Sequence, residues 1–185
     1  MNIGVPELDP VFALLARLGL AGLFFAAALH KARDLHGFAD TISDYRLLPT
    51  RFSPWGARGL AALELTAGLC LLLSSIDPLG SWIALGLLAL YSGAIGINLL
   101  RGRRQIDCGC MGFGLRQTLS GGLLFRNALL AMLPVVVLAP ANARSLEWVD
   151  FVSVACGLGL GALLWLAAHQ LAAASRASAA WGESQ

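Results

Sequence analysis

The sequence predicts an all-α fold, a polytopic integral membrane helix bundle of five transmembrane helices in which the first four form the core. Three observations carry this reading. Hydrophobic residues make up 57% of the 185 positions and charged residues only 13%, against roughly 25% charged in an average soluble domain. Several apolar blocks approach the roughly 20 residues that cross a bilayer as a helix. The charges are segregated between those blocks. A soluble chain of this length would have to hide nearly every helix from water, which surface-to-volume scaling does not allow. The formal charge is only +2. The arginines sit beside apolar ends, so they speak to topology and give no support to nucleic-acid binding. The first ten residues hold Glu7 and Asp9 and no basic side chain, so they lack the positive n-region of a cleaved signal peptide. The first apolar block therefore reads as a retained span.

Span one covers about 11–30, with Arg17 inside it. An arginine at that depth must snorkel, pair, or face the bundle interior. His30, Lys31, Arg33 and Asp34 close the span. In the segment that follows, Leu35, Phe38 and Ile42 fall three and four apart, which suits a short amphipathic interfacial helix ending before Pro49. Pro49, Pro54 and Gly56 mark an ordered turn, and Tyr45, Phe52 and Trp55 suit the membrane interface. Span two covers about 58–76 and carries Glu64, an ionisable group inside an apolar helix. Such a group is either functional or part of an interhelical ion pair or hydrogen bond. Cys70, in the same span, fits a packing role. The short DPLG connection at 77–80 makes spans two and three antiparallel. Span three covers about 81–100, where Gly86, Gly93 and Gly96 would permit close helix approach and Asn98 would hydrogen-bond across the bundle or support the next loop. Span four covers about 121–140, with Arg126 and Asn127 near its start and Pro134 as a predicted kink. Span five covers about 148–171, with a Gly157/Gly161 pair at GxxxG spacing beside Cys156. The predicted organisation is a core over 1–140, an added helix over 141–173 and a flexible tail over 174–185.

The chemical centre is the polar stretch RGRRQIDCGCMGFG at 101–114. Cys108 and Cys110 flank Gly109, close enough for a strained local disulfide or for two thiols facing a third group. Gly109 relaxes the backbone limits on both. Arg101, Arg103 and Arg104 favour a thiolate, and Asp107 opposes it. Redox chemistry, thiolate coordination and inert cysteines in a tight turn all remain open on these residues. A zinc site would need further ligands, and no nearby histidine pattern supplies them.

Positive charge sets the topology. Lys31, Arg33, Arg46, Arg51 and Arg58 lie between spans one and two, and Arg101, Arg103, Arg104 and Arg116 between spans three and four. The other two connections hold only Arg144. Five spans then place the N-terminus outside, the C-terminus inside and the cysteine loop at the cytoplasmic face. Counted along the helices, Glu64, Asn98, Arg126, Asn127 and His30 come to the same leaflet as the cysteines. A polar site assembles from them, with a Glu64–Arg126 pair. The bland alternative is a structural cluster that sets helix order. Cys70 and Cys156 lie toward the opposite leaflet.

FFAAALHKARDLHGFADTISDYRLLP at 24–49, the span with Glu64, NLLRGRRQIDCGCMG at 98–112 and LLFRNALL at 123–130 resemble the MauE family of membrane proteins, within the broader DoxX-like group. The likeness covers about 11–140, the first four spans, and Met111 departs from the phenylalanine common in the family pattern. The resemblance implies a multi-pass protein of the bacterial inner (plasma) membrane. It implies a task in maturation of methylamine dehydrogenase, namely formation, transfer or maintenance of disulfides in the small subunit with a periplasmic thioredoxin-like partner. Carried onto this chain, Cys108 and Cys110 exchange electrons. Lys31, Tyr45, Glu64, Asn98, Asp107, Arg126 and Asn127 match motif positions without individual roles.

The leading expectation is a membrane thiol–disulfide accessory protein, with methylamine dehydrogenase or a related periplasmic oxidoreductase as its object. Electrons would pass by a transmembrane relay or by a quinone-like carrier reaching a re-entrant loop, because disulfides persist outside the cytosol. Two other classes compete. A non-enzymatic membrane assembly factor would form complexes without a cysteine redox change. A small-molecule transporter would use a polar cavity around Glu64 and Arg126, although the inverted repeat of many transporters is missing.

Overall fold

The computed structural model describes residues 8–73, 78–106, 108–109, 119–140, 142 and 144–182. Six α-helices form: α1 (Pro10–Arg33), α2 (Leu35–Asp44), α3 (Ser53–Leu73), α4 (Leu79–Leu100), α5 (Gly121–Leu138) and α6 (Trp148–Gly182), with a 3-10 turn at Thr50–Phe52 before α3. No strand occurs among the described residues. Five helical segments are long and apolar enough to cross a bilayer, and α2 lies outside that set. The described residues are thus those of an all-helical, polytopic membrane protein. It divides into two units, Met1–Asn142 and Ala143–Gln185.

The first unit is a ring of four long helices. α1 packs on α3 and α5, and α4 packs on the same two. Its centre is filled by Leu20, Ala21 and Phe24 of α1, Ala67 and Leu71 of α3, and Ala84, Leu87 and Leu88 of α4. The outer faces keep Leu63, Leu69, Leu72, Leu90 and Leu129 exposed, which is the surface a bilayer accepts and water does not. Arg17 resolves its position in span one by capping its neighbour: the guanidinium donates to Leu71 O and, at 2.9 Å, to Leu72 O. These are carbonyls of the last turn of α3, left without intrahelical donors.

The helix ends follow local chemistry. Asp9 caps α1 by accepting from Val11 N at 3.0 Å, with Pro10 in the first turn. At that end Leu8 N donates to Pro140 O and Asn142 N to Leu8 O, tying the start of α1 to the end of α5. α2 starts one residue after α1, on an Asp34 cap that accepts from Gly37 N at 2.9 Å. The sequence predicts span two from about 58, but α3 begins at Ser53 with Pro54 inside. The first turn needs no amide donor from proline, so Pro54 and Gly56 belong to the helix. α4 ends in a Schellman motif: Gly102 N donates to Leu99 O and Arg103 N to Asn98 O. Gly102 supplies the left-handed residue at φ +73.

Close approach falls at different glycines from those expected. A Cβ on Gly86, Gly93, Gly96 or Gly161 would meet nothing within 4 Å, whereas one on Gly80 would stand 2.8 Å from Leu71 N. Gly80 therefore sets the α3–α4 contact near the start of α4. α5 runs through the buried Pro134 to Leu138 as one helix.

In the second unit, Asp150 accepts from Arg144 at 2.8 and 2.9 Å and from Glu147 N at 2.8 Å. The last contact is one half of a capping box at the start of α6. α6 continues to Gly182, past the point near 173 where the sequence places the start of a tail. Alanine is the strongest helix former, and the stretch is rich in it.

Candidate functional site

Two polar clusters lie in the first unit, one between α1, α3 and α4 and the other where Tyr45, the end of α4 and Cys108 meet. The first is a buried ion pair. Lys31 Nζ, in the last turn of α1, donates to Glu64 Oε1 of α3 at 2.6 Å, with each side chain 1% exposed. Tyr91 of α4 donates its hydroxyl to the same oxygen at 2.6 Å. The ammonium also stands 5.0 Å from the Phe38 ring centroid and 5.3 Å from that of Tyr91. Both rings offer it their negative faces in place of water. Glu64 Oε2 is buried without a hydrogen-bond partner among the described residues. Three helices thus converge on one carboxylate.

The second cluster holds the cysteine segment. Tyr45, just past α2, donates its hydroxyl to Cys108 O at 3.2 Å. Tyr45 and Cys108 are buried together with Ile95, Leu119 and Leu123. Leu119 N donates to Ile106 O at 3.2 Å, drawing the two arms of the loop together. Gly109 is left-handed at φ +64, and a Cβ there would stand 2.9 Å from Thr41 Cγ2 and 3.2 Å from Phe38 Cε2. Only glycine fits both the conformation and the approach to α2. Arg103 donates to Asn98 Oδ1 at 3.1 Å and to Tyr45 O at 3.4 Å. The fully buried Asn98 also gives its Nδ2 to Ala94 O at 3.1 Å. Asn98 therefore supports the loop both through its backbone carbonyl and through its side chain.

The expected residues separate on this geometry. Lys31 and Glu64 form one cluster, and Tyr45, Asn98 and Cys108 the other. The expected Glu64–Arg126 pair is replaced by Glu64–Lys31, because α1 packs directly on α3 and delivers Lys31 to the carboxylate. Arg126 instead donates to Asn127 Oδ1 at 3.5 Å, and Asn127 Nδ2 donates to Ser92 Oγ at 3.4 Å. His30 is exposed beside the buried Lys31. Asp107 and Cys110 lie outside the described residues. Arg101 and Arg104 are exposed, while Arg103 serves as a clamp on the loop. Cys70 and Cys156 are free thiols.

Sequence reasoning missed Tyr91 and the double use of Phe38. Tyr91 lies seven residues before Asn98, on the same face of α4. A hydroxyl amid an apolar span at that spacing was the available signal. Among the described residues no group of three or more metal-ligating His, Cys, Asp or Glu side chains occurs.

The sequence profile of the family described as methylamine utilisation protein MauE matches residues 9–140. The chain is 35% identical over 178 residues to the methylamine utilization protein MauE of Paracoccus denitrificans, covering 94% of each chain. It is 34% identical to the protein of the same name in Paracoccus versutus, over 85% of this chain and 84% of that one. With its namesake in Methylorubrum extorquens it shares 39% identity over 67% of each chain. No solved structure matches the chain.

Proposed function

Because the chain belongs to the methylamine utilisation protein MauE family, we propose that it is a thiol–disulfide accessory protein of the methylamine utilisation system, with Cys108 and Cys110 as the exchanging pair. The observation that carries this reading is the seating of the cysteine segment. Cys108 O is held by Tyr45, and Gly109 rests in its left-handed turn against α2. The held backbone at Cys108 and Gly109 supports reading this segment as the seat of a thiol exchange.

In the exchange, a donor thiolate attacks the Cys108–Cys110 disulfide, and that S–S bond breaks as a mixed disulfide forms. The donor's second thiolate releases it, so the donor becomes a disulfide and the pair a dithiol, having gained two electrons and two protons. The pair returns to the disulfide by passing both electrons and both protons to a relay disulfide, which hands them on across the membrane to the periplasmic partner. Charge placement supports an inner-membrane orientation with the N-terminus outside and the cysteine segment at the cytoplasmic face. The donor there is the reduced cytosolic thiol pool. The object is a periplasmic thioredoxin-like protein, and through it the disulfides of the methylamine dehydrogenase small subunit.

Replacing either Cys108 or Cys110 by serine should leave the protein in the membrane while wrongly paired small subunit accumulates, as read by alkylation gel shift. Full maturation in both variants would sink the proposal. A membrane-impermeant maleimide should label the pair in inverted vesicles and spare it in intact spheroplasts. Labelling from the outer face would reverse the orientation and make the pair a direct oxidant of the periplasmic partner.

A further inference from the structure

The buried ion pair and the cysteine segment share one side chain. Phe38 of α2 receives Lys31 Nζ over its ring at 5.0 Å. The same ring meets the cysteine segment, since its Cε2 and Cδ2 lie 3.2 and 3.4 Å from the place of a Cβ on Gly109. Thr41, three residues further along α2, is 2.9 Å from that place. The surface under Gly109 is therefore α2, and α2 is tied to the bundle interior where Phe38 meets Lys31.

The ion pair itself argues for more than stability. A buried pair is often no more stabilising than two apolar side chains of equal volume. An apolar pair has no cation to hold an aromatic ring. Lys31 gives one donor to Glu64 and turns toward the faces of Phe38 and Tyr91, and Glu64 with Tyr91 fixes the ammonium in that place. We infer that Phe38 is the positioning residue of the Cys108–Gly109 segment, with the Lys31–Glu64 pair holding Phe38 in place. Its consequence for exchange rests on Cys108 being a reacting thiol; the shielding of Cys108 does not. With Phe38 seated, α2 and Tyr45 keep the segment packed. With Phe38 unseated, Gly109 loses its support and Cys108 opens to attack.

The test measures the rate at which N-ethylmaleimide modifies Cys108 in membranes holding the full chain, with Cys70, Cys110 and Cys156 replaced by serine. Phe38→Leu should raise the rate by about tenfold, the scale of losing a cation–π contact. Phe38→Tyr, which keeps the ring, should stay near the parent rate. Lys31→Met combined with Glu64→Leu keeps the ring and removes its cation, and should raise the rate as Phe38→Leu does. A chain retaining only Cys70, near the opposite end of α3, should show no rise in either variant. Where Phe38→Leu fails to fold, the double replacement decides alone. An unchanged Cys108 rate in the double replacement overturns the inference, as does an equal rise at Cys70 or an equal rise in Phe38→Tyr. The readout is independent of redox activity, so loss of maturation in Cys108→Ser tests the functional reading separately.

Discussion

Lys31 and Glu64 each keep 1% of their side chain exposed inside a helix that crosses the membrane. Each charge alone would be costly there, and together they satisfy one another only because the contact is short and Tyr91 adds a donor. Removing one partner leaves the other charge buried. Glu64→Leu should therefore destabilise the bundle by roughly 3–5 kcal/mol, while Lys31→Met with Glu64→Leu should recover most of that loss. Thermal unfolding in detergent checks both, and a double variant as unstable as the single would contradict the pairing. Tyr45 makes a smaller contribution. Its hydroxyl bond to Cys108 O is neutral and buried, so Tyr45→Phe should cost roughly 0.5–1.5 kcal/mol in the same assay, with the protein still folded.

At the scale of elements, two left-handed glycines shape the cysteine loop and predict different penalties. Gly102 ends α4 and has nothing within 4 Å of a Cβ. Gly102→Ala should cost only the left-handed strain of a residue with a Cβ, about 1–2 kcal/mol. Gly109 carries that same strain and also meets Thr41 Cγ2 at 2.9 Å. Gly109→Ala should therefore destabilise more than Gly102→Ala and push α2 away from the loop, as measured by unfolding midpoints side by side. Equal midpoints would show that Thr41 yields without cost. At the other end of the ring, Arg17 shows how a polar side chain is tolerated in a span. It gives its donors to the terminal carbonyls of α3, which lipid cannot satisfy.

At the scale of the whole molecule, every described contact of the two clusters lies within the first unit, Met1–Asn142. The family profile, at residues 9–140, covers nearly the same stretch. A chain ended after Asn142 should insert into the membrane and keep Cys108 as protected from maleimide as in the full chain. Faster modification of Cys108 in the shortened chain would show that α6 contributes to the site. In the proposed orientation, with the N-terminus outside, the truncation also removes one crossing, so a C-terminal tag should move to the outer face.

The sequence alone determined the membrane class, the five spans, the amphipathic α2 and the cysteine stretch. Those features are local: hydropathy needs only a run of apolar side chains, α2 only a spacing of three and four, and the CxC segment only adjacent residues. It also marked Glu64, Asn98 and Asn127 as polar groups inside spans, since a polar residue among apolar ones is visible without a structure. Partners are another matter. Charge and depth were compatible with Arg126 for Glu64, and the packing of α1 on α3 selected Lys31. Tyr91 on α4 and Phe38 on α2 entered the site because helices distant in sequence converge there. Which glycines lie at contacts was likewise decided by helix rotation, which sequence spacing leaves free. Pairing depends on which faces meet, and only the tertiary packing of the ring sets that.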